Sequence, residues 1–229
     1  MEYGGALMRE RNMIFSQVEL MVLLSLLGGQ KLYGFWRKPT YSPEQILQTA
    51  NALMRHGILD VTESGFTICS AEVRTLLLPM VEANWAILLT PKDKELPQIC
   101  YMVTPSVLIG YETVAVQPDA VSLFSLSSQH WEEELIERGV LSAWGNPLLP
   151  KQRQEKKLEP PNQIPALDQL EQCAQGEWLL EYFQVPQKKA YRAVLIHRVL
   201  GERMAMAGDG NIAVSTNDLQ SAVALPGYR

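Results

Sequence analysis

The sequence predicts an α+β fold in which a winged-helix-like N-terminal block is followed by an antiparallel sheet flanked by helices. Two observations carry this prediction: capped helical patterns fill the first third of the chain, and short β-prone runs separated by prolines follow. With 229 residues, 47% of them hydrophobic, the chain can bury a core without a metal or a disulfide. The expected segments are a flexible arm at 1–12, a winged-helix-like block at 13–84, antiparallel strands plus a helix at 85–146, a proline-rich linker or loop at 147–165, and a helix, strands and a C-terminal helix at 166–229.

The first helix begins at a capping box. Ser16 is followed three residues later by Glu19, a spacing at which each side chain accepts a hydrogen bond from the backbone N–H of the other residue. Apolar residues then recur on one face until Gly28-Gly29 ends the helix. The members of this face are Leu20, Leu23, Leu24 and Leu27.

The second helix carries the same signals. Ser42 caps it, Pro43 takes the first helical position and Gln45 closes a second capping box. Gly57 ends it. Its apolar residues have helical spacing and predict one buried stripe, consisting of Ile46, Ala50, Leu53 and Met54.

A hairpin and a third helix complete the block. The β-prone runs at 58–62 and 66–69 flank Gly65, which predicts a turn between two short strands. Ser70 then caps a third helical stretch that reaches to about residue 84 and is interrupted at Pro79. The order of helix, helix and hairpin is typical of a winged helix-turn-helix.

DNA binding is the alternative function that this block suggests. The second helix would enter the major groove, and Arg37, Lys38 and Arg55 are the candidate nucleic-acid contacts. Residues 13–84, however, carry five basic side chains against six acidic ones. Because phosphate neutralisation usually dominates DNA affinity, this balance favours a different function.

The middle of the chain predicts an antiparallel meander followed by a helix. Its β-prone runs lie between residues 85 and 126 and are separated by prolines. The helix opens at Ser128, turns Trp131 and Leu135 inward, and ends at Gly139. Its acidic run at 132–134 suits the positive end of the helix dipole, so it is interpreted as a solvated face and not as a metal or general-acid site.

The second half repeats the order of helix first and strands after. Residues 147–165 contain five prolines and six charges, which is typical of an exposed linker or long loop. Beyond a short helix, β-prone runs and an Asp209-Gly210-Asn211 turn predict further strands. The string at 53–59 resembles the string at 135–141, which indicates either a duplicated unit or the convergence of helices that end at glycine.

The residues that could carry chemistry form no recognisable motif. The sequence has three histidines and three cysteines without zinc or catalytic spacing, so no catalytic residue, cofactor or metal site is predicted. They are His56, His130, His197, Cys69, Cys100 and Cys173. An odd number of separated cysteines fits reduced thiols in a cytoplasmic protein. The net charge of −5 argues against a general nucleic-acid or membrane-surface binder, and the apolar run at 18–27 contains Glu19 and is too short to span a membrane.

Three stretches share a pattern with a known family. They are an opening of the form EL-x-x-LL-x-x-LG at 19–28, the helix exit at 55–60, and the β-prone Val121-Ser122-Leu123. In these stretches the chain resembles the EspG family, the cytosolic chaperones of ESX (type VII) secretion; the second half is similar only in its order of elements. The resemblance implies a central antiparallel sheet flanked by helices, in a pseudo-duplicated form, and binding of a helical secreted partner. It transfers no site residues, and the linker at 147–165 departs from the family.

Three functions stay open at this point. The leading hypothesis is a non-enzymatic cytoplasmic adaptor that binds a protein partner, with a secretion-associated chaperone as one form of it. The alternative is a winged-helix DNA-binding regulator with a C-terminal sensing domain. The third is an enzyme assembled from distant residues, which requires a deep polar pocket around His130 or His197.

Overall fold

The computed structural model describes residues 11–29, 41–93, 95–114, 116–141, 176–185, 189–199, 202–209, 212–216 and 223–226. Within these ranges the chain has the predicted α+β character. Its helices are α1 (Gln17–Leu26), α2 (Pro43–Arg55), α3 (Ala71–Glu82) and α4 (Trp131–Glu137), the last preceded by a single 3-10 turn at Ser128–His130. Its strands are β1 (Arg11–Ser16), β2 (Leu59–Thr62), β3 (Gly65–Ile68), β4 (Trp85–Pro91), β5 (Ile99–Val103), β6 (Val107–Val114), β7 (Gln117–Ser127), β8 (Gly176–Gln184), β9 (Lys189–Val199), β10 (Glu202–Asp209) and β11 (Ile212–Thr216).

Nine strands form one antiparallel sheet, and β2 and β3 form a separate hairpin. The order across the large sheet is β1-β7-β6-β5-β4-β8-β9-β10-β11. Two meanders, β4 to β7 and β8 to β11, therefore run outward in opposite directions from the central β4–β8 pair. In that pair Trp85 lies opposite Gln184 and Pro91 lies opposite Trp178.

The N-terminal edge strand differs from expectation. Arg11 and Asn12, the last two residues of the predicted flexible arm, belong to β1, while residues 1–10 lie outside the described ranges. Strand β1 pairs with β7, which places Phe15 opposite Val121. This pairing partner is distant in sequence, so no neighbouring turn or hairpin pattern indicates the strand.

The predicted starts of the first three helices are confirmed, whereas the helix expected to open at Ser128 begins as a 3-10 turn and becomes α-helical only at Trp131. Ser16 and Glu19 form the first capping box, and Ser42 and Gln45 form the second. The hydroxyl of Ser70 accepts a hydrogen bond from the backbone N–H of Val73.

The predicted interruption of the third helix at Pro79 is wrong. Helix α3 continues through Pro79 to Glu82. Proline removes one helical hydrogen bond, but packing of the buried face against the sheet holds the turn in place. The residues of this face are Val73, Leu76, Leu77 and Met80.

The sheet separates two hydrophobic cores. On one face, α1, α2, α3 and the hairpin pack over alternate strand residues such as Cys100 and Met102 of β5. On the other face, α4 and residues 223–226 cover Tyr101 and Val103 of the same strand. All five residues of β5 are buried, as expected for a strand that is covered on both faces. The helical block at 13–84 therefore shares its core with the sheet.

The second half is described mainly through its strands. The Asp209-Gly210-Asn211 turn was predicted to join two strands, and Asp209 of β10 indeed pairs with Ile212 of β11. Ser215 and Thr216 are the last two residues of β11. The helix expected before Gly176, most of the C-terminal helix and the linker at 147–165 lie outside the described ranges. None of the helices described is long and apolar enough to cross a membrane.

Candidate interaction surface on helix α2 and the hairpin

Helix α2 extends its apolar stripe beyond the core. Ala50 and Leu53 are buried, but Ile46, which was predicted to be buried with them, has 38% of its surface exposed. Its neighbour Leu47 is 55% exposed. Every residue from Pro43 to Gln48 is exposed, so the first turns of the helix project past the edge of the core. The prediction for Ile46 is wrong because helical spacing fixes a face and not where the core ends.

The apolar side of the hairpin also extends beyond the hydrophobic core. Leu59 and Ile68 form a buried pair at its base. Val61 and Phe66 form the next pair on the same side, because residues two apart on a strand share a face. They are 60% and 38% exposed, so the apolar side of the hairpin continues into solvent.

A shallow depression of mixed polarity lies beside these apolar residues on α2. It has a volume of about 620 Å³, is open to solvent, and is lined by Gln48, Asn51, Met54 and Arg55. The amide of Gln48 donates a hydrogen bond to Glu44 Oε1 at 3.2 Å. We call the exposed side chains Ile46, Leu47, Val61 and Phe66, together with this depression, the α2–hairpin surface.

One of the three predicted nucleic-acid contacts can be placed. Arg55 is exposed in the last turn of α2 and lines the depression. Arg37 and Lys38 lie outside the described residues, so their position relative to Arg55 stays a prediction.

The approach to α2 carries a phenol with a perturbed proton affinity. Partial burial, and then the carboxylate of Asp119, raise the pKa of Tyr41. Tyr41 is therefore neutral at physiological pH and adds no charge to the start of the helix.

A buried polar cluster on the opposite face of the sheet was not foreseen. Glu134 of α4 is completely buried, and its Oε1 accepts hydrogen bonds from the Tyr101 hydroxyl at 2.7 Å and from Arg138 Nε at 2.9 Å. Arg138 Nη1 also pairs with Glu112 Oε2 of β6 at 3.0 Å. The guanidinium lies 5.6 Å from the centre of the Phe124 ring, a cation–π distance.

The charges in this cluster stabilise one another. Burial, and then the nearby carboxylate of Glu134, raise the pKa of Tyr101, which keeps the phenol as a hydrogen-bond donor. Burial acts to lower the pKa of Arg138, but Tyr101, Glu112 and Glu134 together raise it. The four side chains thus form a linked network that joins α4 to the sheet, with no described pocket beside it.

The interpretation of the acidic run as a solvated face is therefore wrong for Glu134, although Glu132 and Glu133 are exposed. A signal for this was present in the sequence. Glu134 and Arg138 are four residues apart, and they lie on the helical side that also carries Trp131.

Of the three histidines, the structure describes the side chains of His56 and His130, which lie on different helical segments. His56 is exposed at the end of α2 and His130 is half-buried before α4. His197 belongs to β9, and its side chain lies outside the description. No group of three His, Cys, Asp or Glu residues suited to a metal ion occurs among the residues described.

Comparison with known proteins gives no assignment. No protein-family model matches the sequence, and a search of curated proteins finds no match. A functional hypothesis for this chain therefore depends on its own residues and their geometry.

Proposed function

We propose that the chain is a non-enzymatic cytoplasmic adaptor that binds a protein partner through the α2–hairpin surface. The observation that carries this proposal is that the apolar faces of α2 and of the hairpin both extend beyond the hydrophobic core into solvent. The large aliphatic and aromatic side chains at these positions keep between 38% and 60% of their surface exposed, so much of their apolar surface lies outside the chain's own core. Ile46 and Leu47 are neighbours on α2, and Val61 and Phe66 are paired across the hairpin. Neighbouring exposed apolar side chains are typical of a protein-binding surface.

The depression on α2 complements these apolar residues. Amide groups of Gln48 and Asn51 and the guanidinium of Arg55 can bind backbone carbonyls or acidic side chains at the rim of an interface. Leu47 lies one turn before Asn51, so an apolar anchor and polar groups follow one another along the helix. The resemblance to EspG chaperones supports a helical secreted protein as the partner.

Site-specific photocrosslinking tests this proposal. A photoreactive residue in place of Leu47 or Val61 should capture one partner in cells of the source organism, whereas the same residue in place of Glu133 on α4 should not. All three positions are exposed, so the fold tolerates the label. With the captured partner purified, Leu47→Glu and Val61→Glu should each weaken its affinity about ten-fold or more, because they place a charge in an apolar contact.

Thr62→Glu is the matched control for charge. It adds the same carboxylate at an exposed hairpin position next to Val61, where the side chain is already polar. Equal weakening by Thr62→Glu, or equal crosslinking from position 133, would contradict the proposed surface.

A second candidate function is DNA binding, and the side chains on α2 favour it. Asn and Gln pair with adenine in the major groove, and Arg pairs with guanine. The exposed Gln48, Asn51 and Arg55 lie on one side of the helix that a winged-helix protein would insert. An electrophoretic mobility shift assay at low salt tests this candidate. Arg55→Ala should abolish the shift, whereas Arg74→Ala, which removes an exposed arginine on α3, should preserve it. The absence of any shift at micromolar protein rejects this candidate.

A further inference from the structure

One side of helix α2 carries a polar stripe with opposite charges at its two ends. Its four members follow one another at intervals of four, three and four residues, which places them on one face of an α-helix. All four are exposed. The amide of Gln48 donates a hydrogen bond to Glu44 Oε1, so the first two side chains lie next to each other along the stripe. From the first turn of the helix to the last, the stripe consists of Glu44, Gln48, Asn51 and Arg55.

This stripe is complementary to itself. A two-fold axis halfway between Gln48 and Asn51 reverses its order, so a second copy of α2 packs antiparallel to the first. The axis brings the Glu44 carboxylate of each copy to the Arg55 guanidinium of the other. It also brings Gln48 to Asn51 of the second copy, and two side-chain amides can exchange hydrogen bonds because each has a donor and an acceptor. Every polar group of the stripe therefore meets a group of complementary chemistry on an identical helix.

An apolar side chain and the depression on α2 follow the same symmetry. Leu47 lies beside the stripe, since it is three residues from Glu44 and four from Asn51, and it is 55% exposed. The two-fold axis places Leu47 of the second copy level with residue 52, in the middle of the depression. Half-buried Met54 gives the depression an apolar wall. Insertion of a leucine into a hole between side chains of the facing helix is the usual contact of packed α-helices.

Antiparallel packing also suits the backbone dipoles of the two helices. It sets the positive N-terminus of each α2 beside the negative C-terminus of the other. A different protein would have to present acid, amide, amide and base in this reversed order, with an apolar side chain at the level of the depression. A second copy of this chain presents all of these groups without further requirement.

We propose that the α2 helices of two chains pack antiparallel about this axis and form a homodimer. Its contacts are Leu47 in the depression and a Glu44–Arg55 ion pair at each end. One helix from each copy makes a small interface, so the dimer forms reversibly. Leu47 and the depression belong to the α2–hairpin surface, so a second copy and a protein partner exclude each other there. This exclusion rests on the proposed function, whereas the dimer itself does not.

Reversal of the charges at the two ends of the stripe tests the symmetry. Glu44→Arg leaves only bases at the ends and Arg55→Glu leaves only acids, so each variant alone should dimerise about ten-fold more weakly or less. An equimolar mixture of the two variants restores an acid and a base at each end, so it should form a heterodimer with about the wild-type affinity. Sedimentation velocity of the purified full-length chains, from micromolar to sub-millimolar concentration, measures the association.

Two further variants separate the dimer from general effects on charge and fold. Glu133→Arg reverses an exposed charge on α4, on the other face of the sheet, and should leave the dimer unchanged. Leu47→Ala removes the inserted side chain without a change of charge and should weaken the dimer about ten-fold or more. Alanine favours helix formation, so α2 is retained in this variant. Circular dichroism checks the fold of each chain.

Any one of four outcomes overturns the dimer. They are a wild-type chain that stays monomeric over the whole concentration range, a charge variant that dimerises as tightly as the wild type, a mixture that associates no better than its separate components, and an unchanged dimer in Leu47→Ala. The partner proposal is decided separately, because the mass of a crosslinked product distinguishes a second copy from a different protein. A monomeric chain that captures a different protein refutes only the dimer, and a dimer that captures no different protein refutes only the adaptor function.

Discussion

Gly110 of β6 is required by its neighbour across the strand pair. It lies opposite Phe124 of β7, and a methyl group added to Gly110 would overlap the Phe124 ring. The ring fills the space over the glycine and meets Tyr101 edge-to-face, with centres 6.1 Å apart. A glycine within a strand is weakening in general, and here the packed ring is the compensation.

We predict that Gly110→Ala lowers the free energy of unfolding by about 1–3 kcal/mol, the usual cost of overpacking a core. Urea denaturation followed by circular dichroism measures it. Combining the change with Phe124→Leu removes the ring from the overlap, so the double variant should lose less than the two single losses together. Strict additivity of the two changes would show that the ring is not the obstacle.

At the residue level, the sequence predicted the side of a helix on which a residue lies better than the extent to which its side chain is buried. Arg55 was expected on the outward side of its helix and is exposed there. The exposure of Ile46 and the burial of Glu134 were not predicted. Both depend on where the core ends and on what covers it, and the spacing of residues within one helix contains neither fact.

Helix α4 is attached to the sheet by the Tyr101–Glu134 hydrogen bond and the Arg138–Glu112 ion pair as well as by its apolar side. Glu134 has no exposed surface, while the side chain of Arg138 retains 15% exposure. Loss of the arginine would leave a buried carboxylate without its cation.

We therefore expect Arg138→Leu to lower the free energy of unfolding by about 3 kcal/mol or more, the typical cost of breaking a buried pair on one side. Glu137→Ala, at an exposed position of the same helix, should change it by about 0.5 kcal/mol or less. Replacing Glu134 by Leu in the Arg138→Leu background should recover part of the loss, since an apolar pair removes the stranded charge. A thermal melt of Arg138→Leu that matches the wild type would contradict this account.

Elements with local signals were predicted, and elements without them were missed. The capping boxes at Ser16 and Ser42 span three residues each, so the sequence displays them directly. Strand β1 pairs with β7 far along the chain, and its β-prone residues Ile14 and Phe15 stand directly before the first capping box, so they were assigned to the helix entry. Strand β10 alternates methionine and alanine, which lack the β-branched side chains typical of strands, so it was indicated only by the Asp209-Gly210-Asn211 turn that follows it.

For the whole molecule, the α+β class followed from the segregation of helical and β-prone segments. The strand order did not follow, because pairing of β4 with β8 joins parts of the chain on either side of the long predicted linker. The arrangement of two meanders about this pair is the order that a duplicated chain would give. The duplication and the winged-helix assignment stay predictions.

Burial of a thiol at the centre of the sheet gives the whole protein an alkaline sensitivity. Desolvation raises the pKa of Cys100 to about 12, against a small opposing effect of a hydrogen bond with Tyr111. In the unfolded chain the thiol ionises near pH 8.5. Between these two values the unfolded state releases the proton first, so stability falls as pH rises from about 9 toward 12, by up to about 1.4 kcal/mol per pH unit for this group.

We predict that Cys100→Ala reduces this slope. The free energies of unfolding of wild type and variant should differ by a constant amount below about pH 8 and should converge as the pH rises above about 9. Tyr101 contributes equally to both chains, so the comparison isolates the thiol. Parallel curves up to about pH 11 would mean that Cys100 is not desolvated in the folded state.

The central β4–β8 pair also has a consequence for biosynthesis. Strands β1 and β4 to β7 leave the ribosome before β8 is synthesised. The newly made half of the sheet therefore ends at β4, whose outer edge is unpaired and carries apolar side chains such as Leu88. At ordinary translation speed, β4 stays unpaired on this edge for on the order of ten seconds before β8 is synthesised. Bare strand edges are the template for aggregation, so the nascent chain is most in need of cotranslational protection during that interval.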